Sequence, residues 1–389
     1  MSKESSAKSR PQGCFLPMTR DCGPCVPRDP ASDAARQPTC AADSWCRLEE
    51  EAEPMRLVLV GVRGQGNHWV KILRRSAEVE VVGYVDVVPE HLAALRAEHG
   101  VSEAQCFSNL GAALAAVRPD GVVCVTPPAF HRVVAEQALQ AGCHVLTEKP
   151  LADTWGNCRA MVADAARAKR VLMVGQNYRY DRAIQTLRGV IAGGAIGTPG
   201  QVAVQFFKGP HFGGFRDEMR YPLVIDMSIH HFDLMRYVLG ADPISIQAHS
   251  WNPSWSWYQG DASIAAFVEM RLVADATHAV AVTYTGSWCA NGGETTWNGD
   301  WRVLCDDGCV VLTGDQVRVQ HREGRPWEDV APVSMARTSQ EYLLTEFLAA
   351  IREGRQPETS GVDNLRSIEM VFGTVESIEQ GRRVMMAGQ

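Results

Sequence analysis

Short apolar runs alternate with helical segments from Met55 onward, where the compact part of the chain begins. The apolar runs predict buried strands at 55–60, 79–86, 121–125, 144–149 and 171–175. The segments between them predict helices at 67–75, 89–99, 110–117, 130–139 and 155–169. Strands that alternate with helices in this way predict a parallel, doubly wound sheet. We therefore assign residues 55–175 to an α/β domain of the Rossmann type.

The pattern becomes β-like from Gly200 onward. Predicted strands cover 202–207, 245–250, 263–270, 279–285, 301–305 and 309–313, with a hairpin turn at Asp306-Asp307-Gly308. Because no long helix connects the strands after Gly240, they predict a mostly antiparallel, open sheet. Helices are predicted at 181–191, 339–353 and 363–381. We assign residues 176–389 to a second α/β domain that binds substrate and mediates oligomerisation.

Residues 1–54 are polar, rich in proline, serine and charge, and without periodicity, so we predict a disordered, dispensable extension. The first twenty residues lack the order of a signal peptide, and we expect a cytoplasmic protein. The formal charge of -7 argues against nucleic-acid or anionic-membrane partners. Five of the twelve cysteines precede Met55. Cys22 and Cys25 have the spacing of a redox pair, but their flanks form neither a strand nor a helix, so we expect reduced thiols.

A glycine-rich turn, Gly61-Val62-Arg63-Gly64-Gln65-Gly66, connects the first strand to the first helix. Glycines in this position let the backbone approach a pyrophosphate, and the helix N-terminus favours its negative charge. Asp86 ends the second strand, where a carboxylate can accept both ribose hydroxyls of NAD and would repel the 2′-phosphate of NADP. The pattern favours NAD, while Arg63, in place of the usual middle glycine, keeps NADP open.

Two further stretches carry candidate chemistry. The strand from His144 ends in Glu148-Lys149-Pro150, at the sheet edge where open α/β folds bind ligands. The second stretch, at 226–233, spaces Asp226, His230 and Asp233 along one predicted helical face. A carboxylate and an imidazole one turn apart suit proton transfer. The same spacing could hold a metal ion, or Asp226 could be a helix-start residue beside a buried structural histidine.

These stretches together resemble the Gfo/Idh/MocA family of sugar and cyclitol oxidoreductases, over about Met55 to Val384. The resemblance implies a two-domain enzyme that transfers hydride between a nicotinamide cofactor and a substrate hydroxyl. It implies catalytic roles for Lys149, Asp226 and His230: His230 as general base, Lys149 as the cation at the oxygen, and Asp226 as their orienting group. It also places Thr126, Pro127, His131, Glu148, Lys149 and Gln176 along the cofactor. His131 could instead be a helix-start residue that caps or packs locally. Substrate contacts are expected from Lys149, Tyr178, Arg179, Asp226, His230 and His231. His231 lies off the face of His230, so it either packs or makes a secondary substrate contact.

Aromatic residues crowd into one stretch of the second domain: Trp251, Trp255, Trp257, Tyr258, Trp288, Trp297 and Trp301. They either stack on sugar rings or pack a sheet face or subunit interface. Lys208, His211 and Arg216 could reach the pocket from a glycine-rich loop, which would fit an acidic or phosphorylated substrate.

We therefore predict an NAD-dependent oxidoreductase acting on a secondary hydroxyl or ketone of a sugar, cyclitol or glycoside, without a metal. Three alternatives remain open: NAD-dependent glycoside cleavage on the same fold, a non-catalytic dinucleotide-binding regulator, and a metal-dependent enzyme using the 226–233 stretch. By resemblance, the open sheet predicts a homodimer or homotetramer.

Overall fold

The computed structural model describes residues 53–321 and 324–386. The predicted extension at 1–54, apart from its last two residues, lies outside the described residues, as does the Cys22 and Cys25 pair. Where the structure describes the chain, none of its helices has the length and apolar character needed to cross a membrane.

The first sheet has six parallel strands in the order β3-β2-β1-β4-β5-β6. Its strands are β1 (Met55–Val60), β2 (Val79–Val85), β3 (Cys106–Phe107), β4 (Gly121–Cys124), β5 (His144–Thr147) and β6 (Leu172–Val174). The connecting helices are α1 (Gln65–Arg75), α2 (Pro89–His99), α3 (Leu110–Val117), α4 (Pro128–Gln140) and α5 (Trp155–Ala168). The predicted doubly wound parallel sheet is confirmed. The prediction missed β3, whose two residues are too few to produce a periodic signal.

The second sheet has nine strands in the order β14-β13-β12-β11-β7-β10-β9-β8-β15. Its strands are β7 (Pro199–Phe207), β8 (Ala241–Trp251), β9 (Ser263–Leu272), β10 (Ala279–Ser287), β11 (Asp300–Cys305), β12 (Gly308–Thr313), β13 (Gln316–His321), β14 (Glu328–Asp329) and β15 (Val384–Met385). β7 and β10 are parallel and the other pairs are antiparallel, which confirms a mostly antiparallel sheet. The prediction missed β13, β14 and β15.

Four helices complete the fold: α6 (Arg182–Ala192), α7 (Ser228–Leu239), α8 (Ser339–Glu353) and α9 (Gly361–Gln380). Every residue of α7 is buried, because the helix packs against α6, α9 and β8. Helix α8 returns to the first sheet, where Leu343 and Phe347 share a core with Leu57 of β1. The domain boundary at 175/176 stays a prediction.

Candidate active site

The turn from β1 to α1 can be formed only by glycine at two positions. Gly61 has φ +87°, and a Cβ there would lie 2.7 Å from the carbonyl oxygen of Val125. A Cβ on Gly66 would lie 2.1 Å from the carbonyl oxygen of Gly61. Helix α1 begins at Gln65 without a side-chain cap, so its N-terminal N–H groups are not satisfied in that way. Two close backbone approaches and an uncapped helix start fit a dinucleotide pyrophosphate.

Asp86 follows β2 directly, and its carboxylate is fixed by three hydrogen bonds. Oδ2 accepts from the backbone N–H of Val62 at 3.1 Å, and Oδ1 accepts from that of Val88 at 3.0 Å. Nδ1 of His91 lies 3.1 Å from Oδ1. Arg63, in contrast, pairs with Glu98 at 3.1 Å. The carboxylate is therefore held at the sheet edge, and the nearby arginine has a partner elsewhere.

A cleft of about 1700 Å³ extends from this turn to the second sheet. Most of the predicted site residues line it: Gly61, Arg63, Gly64, Gln65, Asp86, Thr126, Pro127, Glu148, Lys149, Tyr178, Asp226 and His230. Five predicted residues do not line it: Gly66, His131, Gln176, Arg179 and His231. The structure therefore joins the glycine turn, the end of β5 and the start of α7 around one space.

Lys149 meets Asp226 across this cleft. Its Nζ lies 2.9 Å from Oδ1 of Asp226 and 2.6 Å from the backbone carbonyl oxygen of the same residue. Nε of Arg216 donates to Oδ2 of Asp226 at 2.5 Å. Burial by itself raises the pKa of Asp226, but the charges of Lys149 and Arg216 outweigh this effect and lower the pKa to about 2. Asp226 is therefore a carboxylate that joins two cations.

The helix geometry around Asp226 differs from the prediction. Leu223–Met227 forms a π-helical turn, and α7 begins only at Ser228. Hydrogen bonds in a π turn connect residues five apart, so the spacing of a regular α-helix does not hold there. Asp226 faces Lys149, whereas Asp233 faces Arg179, so the expected single face of Asp226, His230 and Asp233 does not form.

His230 is buried in the cleft wall and stacks on Tyr178, with ring centroids 4.1 Å apart and planes at 12°. Its Nδ1 has no hydrogen-bond partner among the described residues. Burial lowers the pKa of His230 well below its ordinary value, and the charge of Lys149 lowers it further. Burial also raises the pKa of the Tyr178 hydroxyl. His230 is therefore a neutral imidazole in the cleft wall, the form of histidine that can accept a proton.

Glu148 holds the backbone of Lys149 through hydrogen bonds. Nε1 of Trp69 donates to Oε1 of Glu148 at 2.6 Å, and the backbone N–H of Lys149 donates to Oε2 at 3.3 Å. Burial raises the pKa of Glu148, while the Trp69 hydrogen bond and the Lys149 charge oppose the rise. These two bonds fix the backbone at Lys149, which precedes a cis peptide bond to Pro150.

Two residues predicted along the cofactor lie behind the cleft wall instead. The buried His131 ring lies between two carbonyl oxygens: that of Pro150, 2.9 Å from Nδ1, and that of Thr126, 2.8 Å from Nε2. It thereby connects the turn after β4 to the segment after Lys149. Gln176 is 1% exposed, and its side-chain amide has no partner among the described residues.

Two residues predicted at the substrate are also buried away from it. Arg179 is 5% exposed and pairs with Asp233 at 2.7 Å and with Asp363 at 2.6 Å. Nδ1 of His231 lies 3.0 Å from the Tyr284 hydroxyl, and its Nε2 lies 3.1 Å from the Trp297 carbonyl oxygen. The polar groups of Arg179 and His231 already have partners within the protein. The predicted substrate contact by these two residues therefore does not match the structure.

The alternative of a metal site at Asp226, His230 and Asp233 does not match the geometry either. Two cations hold Asp226, and Arg179 holds Asp233 in another direction. Within residues 53–321 and 324–386, no group of three or more histidine, cysteine, aspartate or glutamate side chains is arranged to hold a metal ion.

The aromatic stretch divides between core and cleft. Trp288 and Trp297 line the cleft, and Trp301 is buried in the core. Trp251 and Trp255 are 40% and 58% exposed. Of the three basic residues around the glycine-rich loop, only Arg216 lines the cleft, whereas Lys208 pairs with Glu294 and His211 with Asp217. Arg216 is not among the predicted catalytic and substrate-binding residues, although the sequence places it in a loop that could reach the pocket.

Comparison with known proteins agrees with this geometry. The model of the Gfo/Idh/MocA oxidoreductase family with an NAD-binding Rossmann fold matches residues 55–176. The family's C-terminal domain model matches residues 184–311. The chain belongs to the Gfo/Idh/MocA family. The predicted family and its oxidoreductase activity are thereby confirmed, and the cofactor it binds is a nicotinamide dinucleotide.

Relatives of this Gfo/Idh/MocA oxidoreductase are similar over most of their length. D-glucoside 3-dehydrogenase of Escherichia coli (strain K12) is 30% identical, covering 79% of this chain and 97% of its own. D-apiose dehydrogenase of Paraburkholderia graminis is 28% identical, covering 78% of this chain and 82% of its own. An Agrobacterium radiobacter oxidoreductase, crystallised with NAD+, L-tartaric acid and magnesium, has a TM-score of 0.76 at 22% identity and covers 85% of this chain and 98% of its own. This last likeness shows the fold.

Proposed function

We propose that the protein transfers hydride between NAD and a secondary hydroxyl or ketone of a sugar, cyclitol or glycoside. The proposal rests on one observation. Lys149, Asp226 and His230 line the same cleft as the glycine turn and Asp86. Relatives named as dehydrogenases of sugars and glycosides support the substrate class.

Oxidation of a secondary alcohol removes a hydride from carbon and a proton from oxygen. Bound NAD would accept the hydride at its nicotinamide ring. Lys149, which has three N–H donors and gives two contacts to Asp226, has a donor left for the substrate oxygen and stabilises its developing negative charge. His230 accepts the hydroxyl proton. Because its lowered pKa keeps the imidazole neutral, it does not have to lose a proton first. In the reverse direction the same groups protonate a reduced ketone.

Asp86 supports NAD as the preferred cofactor. Its carboxylate is oriented by Val62 and Val88, and it would repel a 2′-phosphate. Arg63, the residue that could bind that phosphate, pairs with Glu98. The pyrophosphate would lie on the glycine turn at the start of α1.

The open face of the second sheet supports a homodimer or homotetramer. Trp251, Phe267 and Leu304 lie on this face and are 37–40% exposed. Exposed apolar residues on one sheet face are typical of subunit interfaces. Analytical ultracentrifugation tests this part of the proposal, and a monomer at micromolar concentration would contradict it.

A panel of inositols, hexoses and glycosides, incubated with the enzyme and NAD, tests the function. We expect net NADH formation with one class of compound, together with the matching ketone. Glycoside cleavage without net NADH would instead favour the NAD-dependent cleavage reaction, in which the cofactor returns unchanged. Tight NAD binding without turnover of any compound would favour a regulator.

A further inference from the structure

The hydrogen bond to Asp226 does not fully explain the position of the Arg216 side chain. Its loop, between β7 and the π-helical turn, brings the guanidinium into the cleft, where it is 31% exposed. Only Nε is used, in the hydrogen bond to Asp226. Across residues 53–321 and 324–386, the four N–H groups on Nη1 and Nη2 have no acceptor. The two terminal nitrogens of the fork are therefore available to a ligand.

Aromatic rings hold this guanidinium in place. Its Cζ lies 4.7 Å from the ring centroid of Phe215 and 5.6 Å from that of Phe212, both of which line the cleft. Cation–π contacts and one fixed nitrogen restrict the rotation of a long side chain before any ligand binds. A restrained guanidinium loses less entropy when it forms a bidentate pair with a carboxylate or phosphate.

The charges at this end of the cleft favour an anion. Lys149 and Arg216 contribute two positive charges against the single negative charge of Asp226, and His230 is neutral. In the described part of the chain, none of the other carboxylates lining the cleft forms an ion pair with Lys149 or Arg216. Asp181 accepts from the N–H of Ala183, and Asp315 accepts from Thr296 and Asn298. In direct ion pairs, the two cations therefore share one carboxylate, that of Asp226.

We propose that Arg216 determines substrate specificity by binding an anionic group, a carboxylate or a phosphate, on the sugar that Lys149 and His230 oxidise. The inference rests on the proposed function and narrows its substrate class from polyols in general to sugar acids or sugar phosphates. Either group can accept from both Nη atoms at once. Arg216 would then hold both Asp226 and the substrate.

The test compares acidic and neutral sugars of the same ring. D-galacturonate is compared with D-galactose, and D-glucuronate with D-glucose. D-glucose 6-phosphate, also compared with D-glucose, tests a phosphate. We expect the wild type to have a kcat/KM at least about 10-fold higher for an acid or phosphate than for its neutral counterpart. Arg216→Gln lowers this acid-to-neutral ratio by about 10- to 100-fold, and Arg216→Lys lowers it less. The arm with the higher value identifies carboxylate or phosphate.

Lys208→Gln is the matched control, because Lys208 is a cation beside the same loop that pairs with Glu294 and does not line the cleft. Its acid-to-neutral ratio stays at the wild-type value. An equal fall for acidic and neutral sugars in Arg216→Gln would overturn the proposal, because it would show that Arg216 acts only by positioning Asp226.

Direct binding separates this inference from the proposed function. Calorimetric titration of the NADH-bound enzyme with the same sugars needs no turnover. Acid binding that weakens about 10-fold or more in Arg216→Gln supports the inference even where no sugar reduces NAD. Equal binding of acid and neutral sugars to the wild type overturns it even where turnover occurs. Unchanged circular dichroism and NADH affinity show that the variant is folded.

Discussion

The ammonium of Lys149 contacts two different oxygens of Asp226, the side-chain Oδ1 at 2.9 Å and the backbone carbonyl at 2.6 Å. The two residues lie 77 positions apart, one at the end of β5 and the other in the π-helical turn before α7. The contact therefore joins the edge of the first sheet to the segment that leads into α7. It also fixes the direction of the remaining N–H group of Lys149.

Asp226→Asn tests the electrostatic part of this contact, because it keeps the backbone carbonyl and removes the charge. Without the carboxylate, Lys149 and Arg216 lie close together without a counter-ion. We expect kcat/KM to fall by about 10- to 1000-fold. Asp217→Asn, on the neighbouring loop, is the control and should keep most of the activity. Wild-type kinetics in Asp226→Asn would show that the ion pair is not needed.

The pH dependence of oxidation tests the neutral state of His230. Its pKa is lowered, so the free base persists as the pH falls below about 6.5, where an ordinary histidine becomes protonated. We expect kcat/KM for alcohol oxidation to show no one-proton loss centred near pH 6.5, and any acid limb to lie lower. A limb at about 6.5 that disappears in His230→Gln would contradict this assignment.

Arg179→Met separates a structural role from substrate contact. Removing the guanidinium leaves Asp233 buried and without its cation, a change that typically costs about 3–5 kcal/mol of unfolding free energy. Urea unfolding measures this loss. Arg220→Met, which breaks the exposed pair with Glu379, is the control and should cost about 1 kcal/mol or less. A stable Arg179 variant with a raised KM would restore the substrate assignment.

Asp86→Ser tests the cofactor preference. The change removes the carboxylate that would repel a 2′-phosphate, so we expect the ratio of kcat/KM for NAD to that for NADP to fall by about 10-fold or more. Glu98→Gln, which weakens the partner of Arg63, should favour NADP further when combined with it. An unchanged ratio in Asp86→Ser would mean that other residues select the cofactor.

The parts of the fold that depend on local pattern could be predicted from the sequence. The apolar runs and glycines gave the first sheet, and the predicted 339–353 helix coincides with α8. Long-range pairing could not be predicted in the same way. Nothing near Arg179 in the chain indicates that Asp233 and Asp363 neutralise it, and a regular helical period cannot reveal the π-helical turn at Leu223–Met227.

The same distinction between local pattern and long-range contact applies to the candidate site. Lys149, Asp226 and His230 are candidates from the sequence because each belongs to a short local motif. Arg216 is one of three basic residues around a loop, and only the folded chain brings it into contact with Asp226, ten residues away. Lys208 and His211 are also basic and lie near Arg216 in the chain, but they pair with Glu294 and Asp217. Which cation reaches the cleft depends on the folded path of the loop.

Lys149→Met tests whether the Lys149 ammonium stabilises the reacting oxygen during hydride transfer. Methionine keeps much of the side-chain length and removes the charge. In single-turnover NADH formation at saturating NAD and substrate, we predict a rate lower by about 100- to 1000-fold than that of the wild type, in a variant with wild-type circular dichroism. A rate within about threefold of the wild type would contradict the account.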